Sequence, residues 1–168
     1  MTDTPPRPLP VREGLRLDNV SKPLPDGEGL GVGLFLERIT PADPAAGRAM
    51  TEHYAIVETV SGQTVGTIRL RLSDTDDIRL YAGHVGYGVN EAYRGNHYAQ
   101  QACMLLKARA LEHGFSELWI TCDPDNWPSR RTCERIGARL VEIIDLPEEL
   151  DMYQDGERQK CRYLWQLD

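Results

Sequence analysis

The sequence predicts an α+β fold built on a mixed, mostly antiparallel sheet, and three observations carry this prediction. Strand-like segments separated by turn signals fill much of the first half of the chain. A strand-like run at residues 81–89 then leads through a short polar turn into a helical pattern at residues 99–113. A short apolar run follows that helix, and this succession of strand, helix and strand implies a parallel pair with a right-handed crossover.

Composition limits the classes of function that the chain can serve. Its 168 residues are 40% hydrophobic and 27% charged, as expected for one soluble domain. A net charge of −7 disfavours duplex nucleic acid as the main partner, and no apolar run is long enough to predict a membrane span. Four cysteines without C-x-x-C spacing argue against a structural metal site and indicate free thiols in a reducing cytoplasm.

The N-terminal part of the chain gives the weakest signals. We expect residues 1–10 to form a flexible tail, because four prolines prevent regular strand pairing there, and residues 11–168 to form a single domain. Residues 15–20 alternate in the manner of an edge strand. Residues 29–38 are apolar enough to pack, and a short helix is one interpretation of that segment.

Three further strand patterns predict an antiparallel meander. They cover residues 53–60, 64–72 and 78–89, and turn signals at residues 61–63 and 73–77 separate them. One face of the middle strand is apolar. The other face carries Arg69 and Arg71.

The second half of the chain alternates helices with strands. Apolar residues recur at helical spacing over residues 99–113, and Gly114 provides a stop signal. The apolar run at residues 117–122 predicts a buried strand. Asn126 is then expected to cap a helix that ends at Gly137.

Two final strands are predicted at residues 139–144 and 160–167, on either side of an acidic loop at residues 145–157. With them the sheet reaches about six to seven strands.

The turn from Tyr93 to Ala99 is the first candidate site. It joins a strand to the N-terminus of a helix, where the first amides lack partners and the helix dipole places partial positive charge. Such a terminus is suited to binding phosphate groups. We therefore expect backbone amides between Arg94 and Ala99 to bind a pyrophosphate.

Two motifs give the chain a resemblance to the GNAT superfamily of N-acetyltransferases. The coenzyme A signature of that superfamily, R/Q-x-x-G-x-G/A, is matched by Arg94 and Ala99, with His97 where glycine is usual. A second family segment, N-x-x-S/A followed by G-F/A, is matched by Asn126 and Ser129 and then by the pair at residues 137–138. Within the superfamily, residues 83–87 resemble a group of bacterial predicted acetyltransferases whose substrate is undetermined.

The resemblance implies a three-layer arrangement with helices on both faces of the sheet, and acetyl-coenzyme A as co-substrate. It also implies that two strands separate at Tyr87, Gly88 and Val89 to admit the pantetheine arm. A backbone amide of the same segment is expected to polarise the thioester carbonyl. The predicted cofactor-binding residues are Tyr87, Gly88, Val89, Arg94, Gly95, Asn96, His97, Tyr98, Ala99, Asn126 and Ser129.

The resemblance also suggests catalytic residues. In many relatives a tyrosine seven residues after the asparagine that matches Asn126 serves as the general acid, and this chain has Cys133 at that position. Ser129 is our candidate for the proton donor, and a simple capping serine is the alternative. His84 is the candidate general base, with a structural histidine as its alternative. Arg69 and Arg71 are candidates for binding a substrate carboxylate, unless they are merely solvated.

These observations predict transfer of an acetyl group from acetyl-coenzyme A to a primary amine of a small molecule or a peptide N-terminus. A non-catalytic module that binds or senses acyl-coenzyme A is the alternative, because His97 and Cys133 replace the expected glycine and tyrosine. Members of the family often form homodimers, so self-association is compatible with the resemblance.

Overall fold

A computed structural model describes residues 31–168, which form a seven-stranded sheet with helices packed against it. The predicted tail at residues 1–10 and the predicted strand at residues 15–20 lie outside the described residues. The elements in chain order are β1 Val32–Thr40, β2 Thr51–Glu58, β3 Thr64–Arg71, β4 Val85–Val89, α1 Tyr98–Glu112, β5 Glu117–Cys122, α2 Trp127–Arg135, β6 Arg139–Asp145, α3 Asp151–Gln154 and β7 Gln159–Gln166.

The sheet has the order β1-β2-β3-β4-β5-β7-β6 and is mixed and mostly antiparallel, which confirms the predicted class. The first four strands form the antiparallel meander, and β4 pairs with β5 in parallel. Of the segment at residues 29–38, for which a short helix is one interpretation, the structure describes residues 31–38, and residues 32–38 belong to β1 instead, since their alternating burial fits a strand.

Both long helices pack on one face of the sheet. Tyr54, Ile68 and Tyr87 are cross-strand partners on this face, and α1 covers it with a stripe of buried residues that includes Cys103 and Leu106. The hydroxyl of Tyr87 reaches α2, which shows that α2 lies on the same face. Burial of this stripe stabilises the fold by roughly 25 cal/mol per Å² of apolar surface removed from water.

The opposite face carries a π-helical turn, Ile78–Ala82, where we had predicted the start of a strand. The predicted strand at residues 78–89 is therefore wrong in its first half, and β4 begins only at Val85. Side chains of the sheet hold the turn by its carbonyl oxygens: Arg71 donates to Ala82, Thr121 donates to Tyr81, and Arg162 donates to Arg79. These long-range hydrogen bonds have no local sequence signal.

A buried ionic cluster joins β2 to the end of α1. The fully buried carboxylate of Glu52 accepts hydrogen bonds from Arg109 at 2.6 Å, Tyr54 at 2.6 Å and His113 at 2.9 Å. Burial raises the pKa of Glu52, but the donors outweigh that effect and lower it to about 2. The cluster therefore stabilises the packing of α1 on the sheet.

The four cysteines are buried free thiols. Within residues 31–168, no helix combines the length and apolar character needed to cross a bilayer.

Candidate active site

The parallel strands β4 and β5 separate almost at once. Their register contains one pair, Val85 with Ile120. On the other side of β4, the amide of Arg71 donates to His84, so alternation along the strand directs the amides of Tyr87 and Val89 away from β3. These two amides face the gap and are available to a ligand.

The turn before α1 exposes the helix terminus as predicted. Gln101 is the first residue whose amide donates inside the helix, to His97, and the amides before it have no helical partner. His97 occupies the N-cap position without a side-chain capping bond. Its φ of 59° and ψ of 27° are left-handed, so it adopts the backbone conformation for which glycine is favoured.

The second predicted segment forms a capped helix terminus beside the first. The carboxamide oxygen of Asn126 accepts from the amide of Ser129 at 3.2 Å, and Pro128 lies within the first turn of α2. This is the capping geometry that the sequence indicates.

Together these elements enclose a cavity of about 600 Å³, which we call the cofactor cavity. It brings together every predicted cofactor-binding residue except Asn96, whose side chain donates to the carbonyl of Tyr93 within the turn. The lining consists of Tyr87, Gly88, Val89, Tyr93, Arg94, Gly95, His97, Tyr98, Ala99, Asn126, Pro128, Ser129, Arg131, Thr132 and Arg135.

Sequence reasoning missed two basic residues of this cavity, Arg131 and Arg135. They stand four residues apart on α2, so they share a face of the helix. That spacing was a usable signal, because α2 follows the predicted cap directly. With Arg94 they give the cavity three guanidinium groups, which suit phosphate oxygens.

A tyrosine hydroxyl from the sheet lies where α2 meets the cavity. The hydroxyl of Tyr87 is 2.9 Å from Oγ of Ser129 and 3.7 Å from Sγ of Cys133. Burial raises the pKa of Tyr87 above its ordinary value and raises that of Cys133 to about 12, so both groups are protonated at neutral pH.

The prediction of His84 as a general base needs correction. Its ring is 1% exposed and lines neither this cavity nor the groove described below. Nδ1 accepts from the amide of Trp119 at 2.8 Å, while Nε2 lies 3.1 Å from the carboxylate of Asp74. With both ring nitrogens engaged and the ring packed against Phe115, His84 holds β4 to β5.

A second depression of about 310 Å³, which we call the acceptor groove, opens on the face opposite the helices. It is lined by Glu37, Arg38, His53, Thr67, Ile68, Arg69, Gly86, Tyr87 and Gly88. It therefore meets the cofactor cavity at Tyr87 and Gly88, which line both.

The two arginines predicted to bind a substrate carboxylate have different surroundings in the structure. Arg69 lines the acceptor groove. Arg71 does not, because its guanidinium is directed into the π-helical turn, where it donates to Ala82 and Gly83 at 3.2 and 2.9 Å. Burial lowers the pKa of Arg71 to about 10, which leaves it charged at neutral pH in a structural role.

The acceptor groove contains a histidine that the sequence did not single out. His53 lies 2.9 Å, through Nε2, from the hydroxyl of Thr40. Burial, and after it the charges of Arg38 and Arg69, lower the pKa of His53, so its ring is neutral at neutral pH.

Comparison with known proteins gives a family match and a shared fold. A family model described as an acetyltransferase (GNAT) domain matches residues 34–139. Curated proteins give no match.

Solved structures with the same fold include a GNAT-family acetyltransferase from Bacillus anthracis, with 22% identity over 68% of this chain and 66% of that one and a TM-score of 0.53. Another is a Salmonella typhimurium acetyl transferase described as modifying the N-terminal serine of ribosomal protein L7/L12. It shares 19% identity over 74% and 67% of the two chains, with a TM-score of 0.55.

A third is the microcin C7 self-immunity acetyltransferase MccE in complex with acetyl-CoA and AMP, with 19% identity over 69% and 61% of the chains and a TM-score of 0.54. The matched region thus spans about two thirds of the length of these proteins.

Proposed function

The chain belongs to the GNAT family of acetyltransferases, and we propose that it transfers acetyl from acetyl-coenzyme A to an amine. One observation carries the proposal: the cofactor cavity and the acceptor groove meet at Tyr87 and Gly88, where two ligands can react without an intermediate carrier. The acceptor is a small-molecule or peptide amine. The Salmonella typhimurium protein of the same fold, described as modifying the N-terminal serine of a ribosomal protein, supports a peptide N-terminus as the acceptor.

The donor would bind through backbone amides and guanidinium groups. The free amides in the first turn of α1 accommodate the pyrophosphate, with Arg94 beside them. Arg131 and Arg135 lie across the cavity on α2 and suit a further phosphate. The unpaired amides of Tyr87 and Val89 are available to the amide groups of the pantetheine arm and to the thioester carbonyl.

Direct transfer requires help for the leaving sulfur. The amine attacks the thioester carbon, the C–S bond breaks, and the sulfur leaves as a thiolate. Tyr87 and Ser129 lie together in the cofactor cavity, and we assign them as hydrogen-bond donors to that sulfur. Because its pKa is raised, the hydroxyl of Tyr87 stays protonated and stabilises the thiolate by donating a hydrogen bond. The thiolate receives its proton from solvent through Ser129.

The nitrogen must also lose a proton. His53 is neutral and opens on the acceptor groove, so it replaces His84 as our candidate to receive this proton, directly or through water. A positioned acid or base contributes roughly 10²–10⁴-fold to the rate.

Two further aspects of the proposal concern the setting of the enzyme. We place it in the cytoplasm, where buried free thiols such as its four cysteines persist. We also propose that it forms a homodimer through the edge strand β6, whose Leu140, Val141 and Ile143 are exposed.

The test is acetyl-coenzyme A binding followed by thiol release with a broad panel of amines. The matched variants are Arg131→Gln and Arg135→Gln, which should weaken coenzyme A binding about 10-fold each, since a charge-assisted hydrogen bond contributes about 1.5–3 kcal/mol. The control is Arg158→Gln, which removes an arginine outside both cavities. Tight binding without turnover on any amine would favour the sensing module, and absence of binding would refute the proposal.

A further inference from the structure

The acceptor groove is crossed by one row of side chains that the pairing of four strands aligns. Arg38 of β1 pairs with His53 of β2, His53 with Arg69 of β3, and Arg69 with Gly86 of β4. Partners directly opposite each other on one face have Cβ atoms about 4.5–5.5 Å apart. His53 therefore lies between Arg38 and Arg69 in the row, and the row ends at the strand where the two cavities meet.

The guanidinium of Arg69 extends along this row toward the reaction centre. A Cβ atom added at Gly86 would lie 2.8 Å from Nε and 3.1 Å from a terminal nitrogen of Arg69. The absence of a side chain at Gly86 is thus what allows the guanidinium to lie against β4, one residue from Tyr87. An anion bound to this guanidinium would therefore lie close to Tyr87, where the two cavities meet.

Charge in the acceptor groove is not balanced by the described residues. The groove is lined by two arginines and one carboxylate, Glu37, and neither arginine has a salt-bridge partner within residues 31–168. Like charges that lie close together on one face of a sheet repel each other, and a bound anion would offset that repulsion. Planar guanidinium groups are also the side chains best matched to carboxylate and phosphate oxygens.

We infer that the acceptor is an amine whose own molecule carries a carboxylate or phosphate, which Arg38 and Arg69 bind beside His53. The inference rests on the proposed function, since it names the substrate class of the same site. Arg69 holds the anion next to β4 and so directs the amine toward the junction at Tyr87 and Gly88.

The experiment compares matched amines at saturating acetyl-coenzyme A. One pair is a carboxylate-bearing amine and its carboxamide; the other is phosphoethanolamine and ethanolamine, so the pairs distinguish a carboxylate from a phosphate. We expect the anionic member of at least one pair to have a kcat/KM more than 10-fold higher. Arg69→Gln and Arg38→Gln should each reduce that preference about 10-fold, mainly through KM.

Controls separate this inference from the proposed function. Arg139→Gln makes the same change of charge on the edge strand β6, away from the groove, and should leave the preference intact. Acetyl-coenzyme A binding should be retained in Arg69→Gln, because Arg69 does not line the cofactor cavity. Equal use of the neutral and anionic members in both pairs, or a preference that survives both replacements, would overturn the inference.

If no amine is acetylated, the proposed function fails, but the inference is still decided by binding. Calorimetry on protein loaded with coenzyme A should show either the carboxylate-bearing amine or phosphoethanolamine binding at least 10-fold more weakly to Arg69→Gln than to the parent. For both ligands, equal affinity for the two proteins, or binding to neither, would overturn the inference.

Discussion

Replacement of Tyr87 by phenylalanine tests the central chemical assignment. The hydroxyl of Tyr87 is 2.9 Å from Oγ of Ser129, and both residues line the cofactor cavity. Tyr87→Phe removes one oxygen and leaves the ring in place beneath α2. The change therefore deletes the proposed donor to the leaving sulfur without opening the cavity that a smaller residue would create.

The magnitude follows from the role. Loss of one positioned hydrogen-bond donor to the charge that develops in the transition state costs roughly 10²–10³-fold in kcat. Since Ser129 remains as a second donor in Tyr87→Phe, we expect the lower end, about 10²-fold in kcat, or about 2.7 kcal/mol. The KM for acetyl-coenzyme A should change little, because the ring and the strand amides remain. Loss of one partly buried hydrogen bond should destabilise the fold by only about 1 kcal/mol.

The assay is thiol release under single-turnover and steady-state conditions, so that chemistry is separated from product release. Tyr93→Phe is the matched control, because Tyr93 lines the same cavity but donates its hydroxyl to Gln63 on the other side. A double-mutant cycle with Ser129→Ala should show strong non-additivity if the two hydroxyls act as a unit. A kcat for Tyr87→Phe within threefold of the parent in single turnover would refute the assignment.

Three other perturbations follow from the structure. His97→Gly should raise the free energy of unfolding by about 0.5–1 kcal/mol in urea titrations, because glycine adopts a left-handed φ without strain. His97→Ala should not raise it, and equal stabilities of these two variants would contradict the role assigned to the backbone conformation of the turn. Because the folded pKa of Glu52 is about 2, below the ordinary 4.5, its contribution is present above pH 4.5 and is lost as the pH falls through 2. The deficit of Glu52→Gln relative to the parent should therefore shrink by about 3 kcal/mol between pH 7 and pH 2, and a pH-independent deficit would contradict the assigned pKa. Gly86→Ala should displace the guanidinium of Arg69 and raise the KM for the acceptor with little effect on coenzyme A binding; an unchanged KM would show that the arginine adapts.

The sequence by itself determined the features that depend on neighbours in the chain. Helix α1, its exposed N-terminal amides and the Asn126 cap of α2 were all predictable, because helices, caps and turns form between residues a few positions apart. Most of the predicted cofactor-binding residues belong to two such local motifs, which the structure brings together around one cavity. The cations of α2 that line this cavity, Arg131 and Arg135, were missed.

The tertiary structure decided everything that depends on strand register. Alternation along β3 placed Arg69 and Arg71 on one face, but only packing distinguishes the arginine in the groove from the one bound to the π-helical turn. The same holds for the histidines: His84 is enclosed between strands, whereas His53 lies opposite Arg38 and Arg69. Cross-strand neighbours are set by pairing over tens of residues, and a shift of one position exchanges the two faces, so local patterns cannot specify them.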